Sequence, residues 1–343
     1  MFNKQSFLML LLVKIFLFPA LFSVHSCGSP GNKIDIEGID IDVSIMRLEK
    51  DLFDMSLESL PEELTGVERK YGDFFEIFNH RIIRIGSSRS PSYYQHLRRF
   101  LTDFDIYRIH SEVERLFPDL GELEEALEEG FRHYIYYFPG YQVPQIYTYI
   151  SGFNQSIVVA DSILAIGLDK YLGSGHKFYA EMQLPLYQRS SMNPSSISPD
   201  CMISWAMTEF EFDNSNENLL SHMIYHGKFL YLANALLPGK HDTLTTGFSL
   251  PQLEWCINNE VQMWTYLVEN RLLFSSDAGT IGRFINSGPF TSEFSRESPA
   301  RAVVWLGWQI VKSYMSRHKD ISMEELMLDT DFQGILNRAR YRP

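Results

Sequence analysis

The sequence predicts an α+β fold, predominantly helical, with a small mixed sheet packed on a helical C-terminal half. Three observations lead there. Strand signals are confined to four short stretches: residues 39–45 and 145–151 alternate with period two, and 156–160 and 163–168 are apolar and β-branched. From residue 199 to the end, apolar residues recur almost continuously at helical spacing. Apolar side chains at 45% and aromatics at 14% can fill the core of one large domain or two fused ones.

Residues 1–26 carry Lys4, the apolar run 7–13, Lys14 and a second apolar run 15–24, the pattern of a signal peptide. Lys14 and Pro19 interrupt it, which argues against a retained membrane span. The sequence Val24-His25-Ser26-Cys27 resembles the lipobox of bacterial lipoproteins, which implies fatty acyl (palmitate-type) chains on Cys27. More than one chain is what stable anchoring requires. Gly28, where a sorting aspartate would stand, implies by the same analogy the outer membrane. A Gly/Ser/Pro-containing tether spans 27–38, and one globular domain is expected over 39–343.

Residues 39–45 set Ile39, Ile41, Val43 and Ile45 against polar neighbours, a half-buried strand. Leu48, Leu52 and Phe53 start helical spacing. Pro61 opens a helix through Leu64, Val67, Tyr71, Phe74 and Phe78. Short helices are expected at 94–101 and 112–117, and a longer one at 122–137, closed by Pro139-Gly140. The acidic run 122–129 reads as a solvated helix face. Three further strands follow, then a Ser/Pro/Asn-rich loop at 192–199 and a short buried helix at 201–210.

The stretch 216–239 is the centre of the helical half. Leu220, Met223, Ile224, Leu230 and Ala233 form its stripe, and Pro238-Gly239 end it. His222 and His226 stand one turn apart on the same face, a spacing that can put two imidazoles on one zinc ion. Asp213 and Glu217 are further candidate ligands; two ordinary helical histidines are the alternative. Met223 follows the first histidine, so the carboxylate base of H-E-x-x-H is absent. Gly227 in mid-helix predicts close approach by another backbone or side chain. Ser249 with Gln252 and Ser322 with Glu325 read as capping boxes, and Ser298-Pro299 as a helix start. The first of these opens a helix running through Trp255, Val261, Trp264 and Leu267.

Asn258, Asn259 and Glu260 could form a polar pocket with Glu297 and Arg301; a buried Glu–Arg pair joining two helices is the competing reading. Trp255, Trp264, Trp305 and Trp308 read as core. Cys201 and Cys256 are two buried thiols or, in an oxidising compartment, one disulfide. The net charge of −13 becomes −15 once residues 1–26, with Lys4 and Lys14, are removed. With no basic block, the chain is unsuited to nucleic acid. No nucleotide-binding or nucleophile-elbow motif occurs in a suitable context, and no cofactor is expected.

The order of blocks resembles the gliding motility-associated lipoprotein GldB family. The blocks are VSIMRLEKDLF, AIGLDKYLGSGHKFY, MIYHGKFLYLANALLPG, QLEWCINNEVQMW and GPFTSEFSRESPARAVVWLGWQIVKSYM. The resemblance runs from about residue 41 to 328. It implies a lipid-anchored cell-envelope protein, outer membrane and periplasm-facing, that serves gliding motility and an associated secretion machinery. Its partners would be the membrane and other envelope lipoproteins or secretion components, and it brings no catalytic activity. The C-terminal half is also distantly similar to zinc peptidases, which implies a degenerate zincin-like fold. The first ligand helix of that class would fall at 201–210, which has no histidine, and His226-Gly227-Lys228 stands where its E-G pair would fall. A non-catalytic protein is therefore expected, with a lipid-anchored zinc peptidase of atypical ligands as the alternative.

Overall fold

Sheet residues come from two distant parts of the chain. The computed structural model describes residues 34–343; the leader 1–26, Cys27 and the first part of the tether lie outside the described residues. Strand β1 (Ile45–Arg47) leads directly into α1 (Leu48–Phe53) and α2 (Leu60–Ile77), which carries Pro61 in its first turn and breaks helical geometry at Gly72 (φ 49°). A π turn (Phe78–Ile82) follows, then α3 (Tyr93–Leu101), α4 (Phe104–Leu116) and α5 (Gly121–Tyr137). Asp103 accepts from the Asp105 and Ile106 N–H groups and so starts α4 well before residue 112, where helical spacing first became apparent in the sequence.

Strands β2 (Gln145–Tyr149), β3 (Ile157–Ala160) and β4 (Ile163–Gly167) complete a mixed sheet in the order β1-β2-β4-β3. β1, β2 and β4 are parallel, and β3 runs antiparallel along the edge. The first strand is shorter than its alternation predicts: only residues 45–47 join the ladder, and 39–44 are irregular. The reason lies in α5. Its Glu128 and Glu124 accept from the Val43 and Ile45 N–H groups at 3.4 and 2.8 Å, so helix carboxylates replace a neighbouring strand. Those two glutamates are half-buried, which corrects the reading of 122–129 as a wholly solvated face.

Short helices α6 (Lys177–Glu181) and α7 (Leu186–Arg189) lead to α8 (Ile197–Glu209), which begins inside the segment expected to be a loop. Met192 is buried there and its carbonyl accepts from the Gly173 N–H. Then come α9 (Leu219–Leu236), α10 (Asp242–Thr246), α11 (Leu250–Asn258), α12 (Glu260–Glu269), α13 (Ala278–Ile285), α14 (Ala302–Arg317), α15 (Met323–Leu328) and α16 (Phe332–Ala339). The expected single helix through Trp255 and Leu267 is two, parted at Asn259, whose side-chain amide donates to the Trp255 carbonyl at 2.8 Å. Ser298-Pro299 does not start a helix either. The Ser298 hydroxyl is buried and donates to the Thr291 and Ser295 carbonyls while it accepts from the Thr291 N–H. α14 begins three residues later.

The sheet is a middle layer, buried on both faces. Tyr147, Tyr149 and Ala165 pack against α1–α3, whereas Ile146, Leu164 and Ile166 join the larger core built on α5, α8, α9 and α14. All four tryptophans singled out in the sequence pack in or against that larger core. Residues 36–343 form one compact unit. Among the described residues no helix is long and apolar enough to cross a membrane.

α9 and α14 make the most extensive helix pairing, and two glycines permit it. A Cβ on Gly227 would lie 2.4 Å from the Gly307 carbonyl carbon, and one on Gly307 would lie 1.8 Å from the Met223 carbonyl oxygen. The two backbones touch. The close approach expected from Gly227 is thus by another backbone, and it fixes how the cleft walls described below are spaced.

Candidate functional site

A cleft of about 480 Å³ opens where α8, α9, the start of α14 and the α10 turn meet the edge strand β3. That size suits a small molecule or a few residues of a peptide. One face of α8 contributes Asp200, Ser204 and Met207, spaced a turn apart. α9 contributes His226 and Phe229, and α14 opens on Arg301.

Arg301 is the unusual member. Its backbone sits in the left-handed region (φ 62°, ψ 22°), which costs a residue with a side chain about 1 kcal/mol or more. It occupies the position before the first turn of α14, and no side chain caps that turn. Burial alone lowers its pKa, so no carboxylate acts on it. Among the described residues no hydrogen bond or ion pair holds its guanidinium.

His226 lies in reach of that charge. Burial pushes its pKa down to about 3, and Arg301 and His222 push in the same direction, so its imidazole is neutral across the ordinary pH range. Asp200 has the opposite problem. Burial raises its carboxyl to about 6, partly opposed by the Tyr171 hydroxyl, which donates to it at 2.8 Å.

The two histidines are not brought to one point. His222 does not line the cleft: its Nε2 is 2.9 Å from Glu217 Oε1, and its ring stacks on Phe212. The His222 and His226 rings lie parallel with centroids 6.3 Å apart. Asp213 is occupied in its own turn, accepting from Ser215. Among the described residues no group of three or more His, Cys, Asp or Glu side chains is placed to hold a metal ion. Cys201 and Cys256 are separate buried thiols.

The polar pocket drawn from Asn259, Glu260, Glu297 and Arg301 is divided between several places. Glu260 accepts from the Tyr341 hydroxyl at 2.6 Å, Asn259 is taken up by Trp255, Glu297 is exposed, and Arg301 alone faces the cleft. The later start of α14 explains the separation, since residues 297 and 301 do not share a helical turn. Asp200 was missed in the sequence because its helix was read as beginning at residue 201; an aspartate just ahead of an apolar run was the available signal.

A family model described as gliding motility protein GldB matches residues 29–343. No curated protein and no solved structure matches the chain.

Proposed function

Since the chain belongs to the family of the gliding motility protein GldB, we propose that it is a non-catalytic lipoprotein of the cell envelope. In this reading acyl chains on Cys27 anchor it to the outer membrane, facing the periplasm, and its folded body supports gliding motility and the associated secretion machinery by binding other envelope components. The observation that carries the non-catalytic part is the charge in the cleft. A zinc peptidase needs three protein ligands, an open coordination position and a carboxylate base. Here the one histidine that faces the cleft stands beside a mostly buried guanidinium with no ion-pair partner among the described residues, which repels a dication at that place.

Two measurements on the full chain, purified in detergent, test the reading. Metal analysis should find no stoichiometric zinc, and the thermal midpoint should be the same with and without EDTA. Near one zinc per chain, lost in the double variant His222→Ala/His226→Ala and accompanied by peptide cleavage, would instead favour the lipid-anchored peptidase. Cys27→Ser should abolish acyl labelling and leave a larger, unprocessed chain; labelling that persists would sink the lipid anchor.

A further inference from the structure

We propose that the cleft is a carboxylate-binding site, with Arg301 and the uncapped N-terminus of α14 as the anion's seat. Two independent features point to the same ligand. The guanidinium of Arg301 is mostly buried, lines the cleft and has no hydrogen-bond or ion-pair partner among the described residues. A charge so placed is costly unless something pairs with it, and the planar fork of arginine matches a carboxylate by two parallel hydrogen bonds. Beside it the sixteen-residue helix α14 has no side-chain cap on its first turn, the positive end of its dipole, where the Val304 N–H is taken by the Arg301 carbonyl and the two N–H groups before it are not capped.

The charge count selects a single negative charge. Among the cleft-lining residues Arg301 is the one Lys or Arg and Asp200 the one Asp or Glu; the Asp200 carboxyl is turned to Tyr171 and does not act on Arg301, whose charge is left to the ligand. His226, held neutral, adds a hydrogen-bonding nitrogen and no charge. A phosphate dianion would find one cation for two charges; a carboxylate balances it. Phe229, Leu230 and Trp305 line the same cleft, so the carboxylate should carry an apolar group. Such a ligand has two sources: the C-terminus of a peptide or a free branched acid. The edge strand β3, paired on one side with β4, contributes Ile157 to the lining and gives a peptide a neighbouring backbone.

The test is calorimetric titration of the full chain in detergent. The probes are an acetylated tripeptide ending in leucine, the same peptide amidated at its C-terminus, isovalerate and inorganic phosphate. The free-acid peptide should bind, and the amide should bind at least tenfold more weakly. Arg301→Gln should weaken the acid at least tenfold while the thermal midpoint stays level or rises, because an uncompensated buried charge has been removed. A merely structural arginine would lower the midpoint and leave the acid–amide difference intact. Isovalerate binding as tightly as the tripeptide assigns the site to free acids; clearly weaker binding assigns it to chain termini. Equal binding of acid and amide, tighter binding of phosphate, or no heat from either acid overturns the proposal, and the acid–amide comparison on the unaltered chain holds even if the variant fails to fold. Zinc measured in the same sample keeps the two readings apart. Binding that requires stoichiometric zinc defeats the non-catalytic reading, and absence of binding in a zinc-free sample defeats this one alone.

Discussion

Asp200, like Asp169, shows how one largely buried carboxyl contributes to the pH behaviour of the fold. Its ordinary value is 3.8 and burial raises it to about 6 in the folded chain. Between those values the native state holds a proton that the unfolded chain has released. Its contribution is therefore fully present below about pH 4 and is lost as the pH rises through 6, on the order of 3 kcal/mol. Asp200→Asn keeps an acceptor for Tyr171 and removes the charge, so it should raise stability at pH 7.5 by about 1–3 kcal/mol and have little effect at pH 4. Urea titrations at the two pH values check this; equal destabilisation at both would show that the carboxylate is needed as such. At this scale the sequence was only partly legible. The spacing of His222 and His226 placed them on one helix, but spacing cannot show that Glu217 and Phe212 hold one ring outside the cleft while the other faces it. Arg301 was picked out for a partnership with Glu297 that the later start of α14 removes.

The helices read well where one chain segment carried its own signal. Ser249 caps α11 with Gln252, Ser322 caps α15 with Glu325, and the apolar stripes of α2, α5 and α14 lie where periodicity put them. The failures share a cause: a backbone group found its partner far away in sequence. Residues 39–44 alternate as a strand should, yet the N–H of Val43 goes to a glutamate 85 residues on. Ser298-Pro299 has the composition of a helix start, yet its hydroxyl closes a turn with Thr291. The crossing of α9 and α14 yields a prediction of this scale. In an isolated helix Gly227→Ala would gain about 1 kcal/mol of propensity. Here the methyl would fall 2.4 Å from the Gly307 carbonyl carbon, so the helices must part. The variant should lose about 1–3 kcal/mol net by denaturant unfolding; a stabilised variant would show that the backbones are not in contact.

For the molecule as a whole, the sequence indicated the class, a small mixed sheet among many helices, but not its layering. Tyr147 and Tyr149 gave no hint that the N-terminal helices would cover the second face of the sheet. The segment 192–199 reads in the sequence as a Ser/Pro/Asn-rich loop, whereas Met192 is buried and α8 already begins at Ile197. The exposed stretch just before it, around α7, contains no buried residue, and Leu186 is 79% exposed. Limited proteolysis should therefore nick residues 186–191 before any other part of residues 36–343, as mass spectrometry of the fragments would show. First cleavage within α9 or α14 would contradict the packing described here.

The close approach at Gly227 and Gly307 also limits which residues this crossing can hold. A side chain at Gly227 would run into the Gly307 backbone and one at Gly307 into the Met223 backbone, so a larger residue at either position meets main chain that no side-chain substitution can remove. His226 precedes the first glycine directly, and Arg301 lies six residues before the second. The gauge of the cleft is thus written in two positions that never touch whatever occupies it. Substitutions among the lining side chains should therefore alter what is bound while the opening keeps its width.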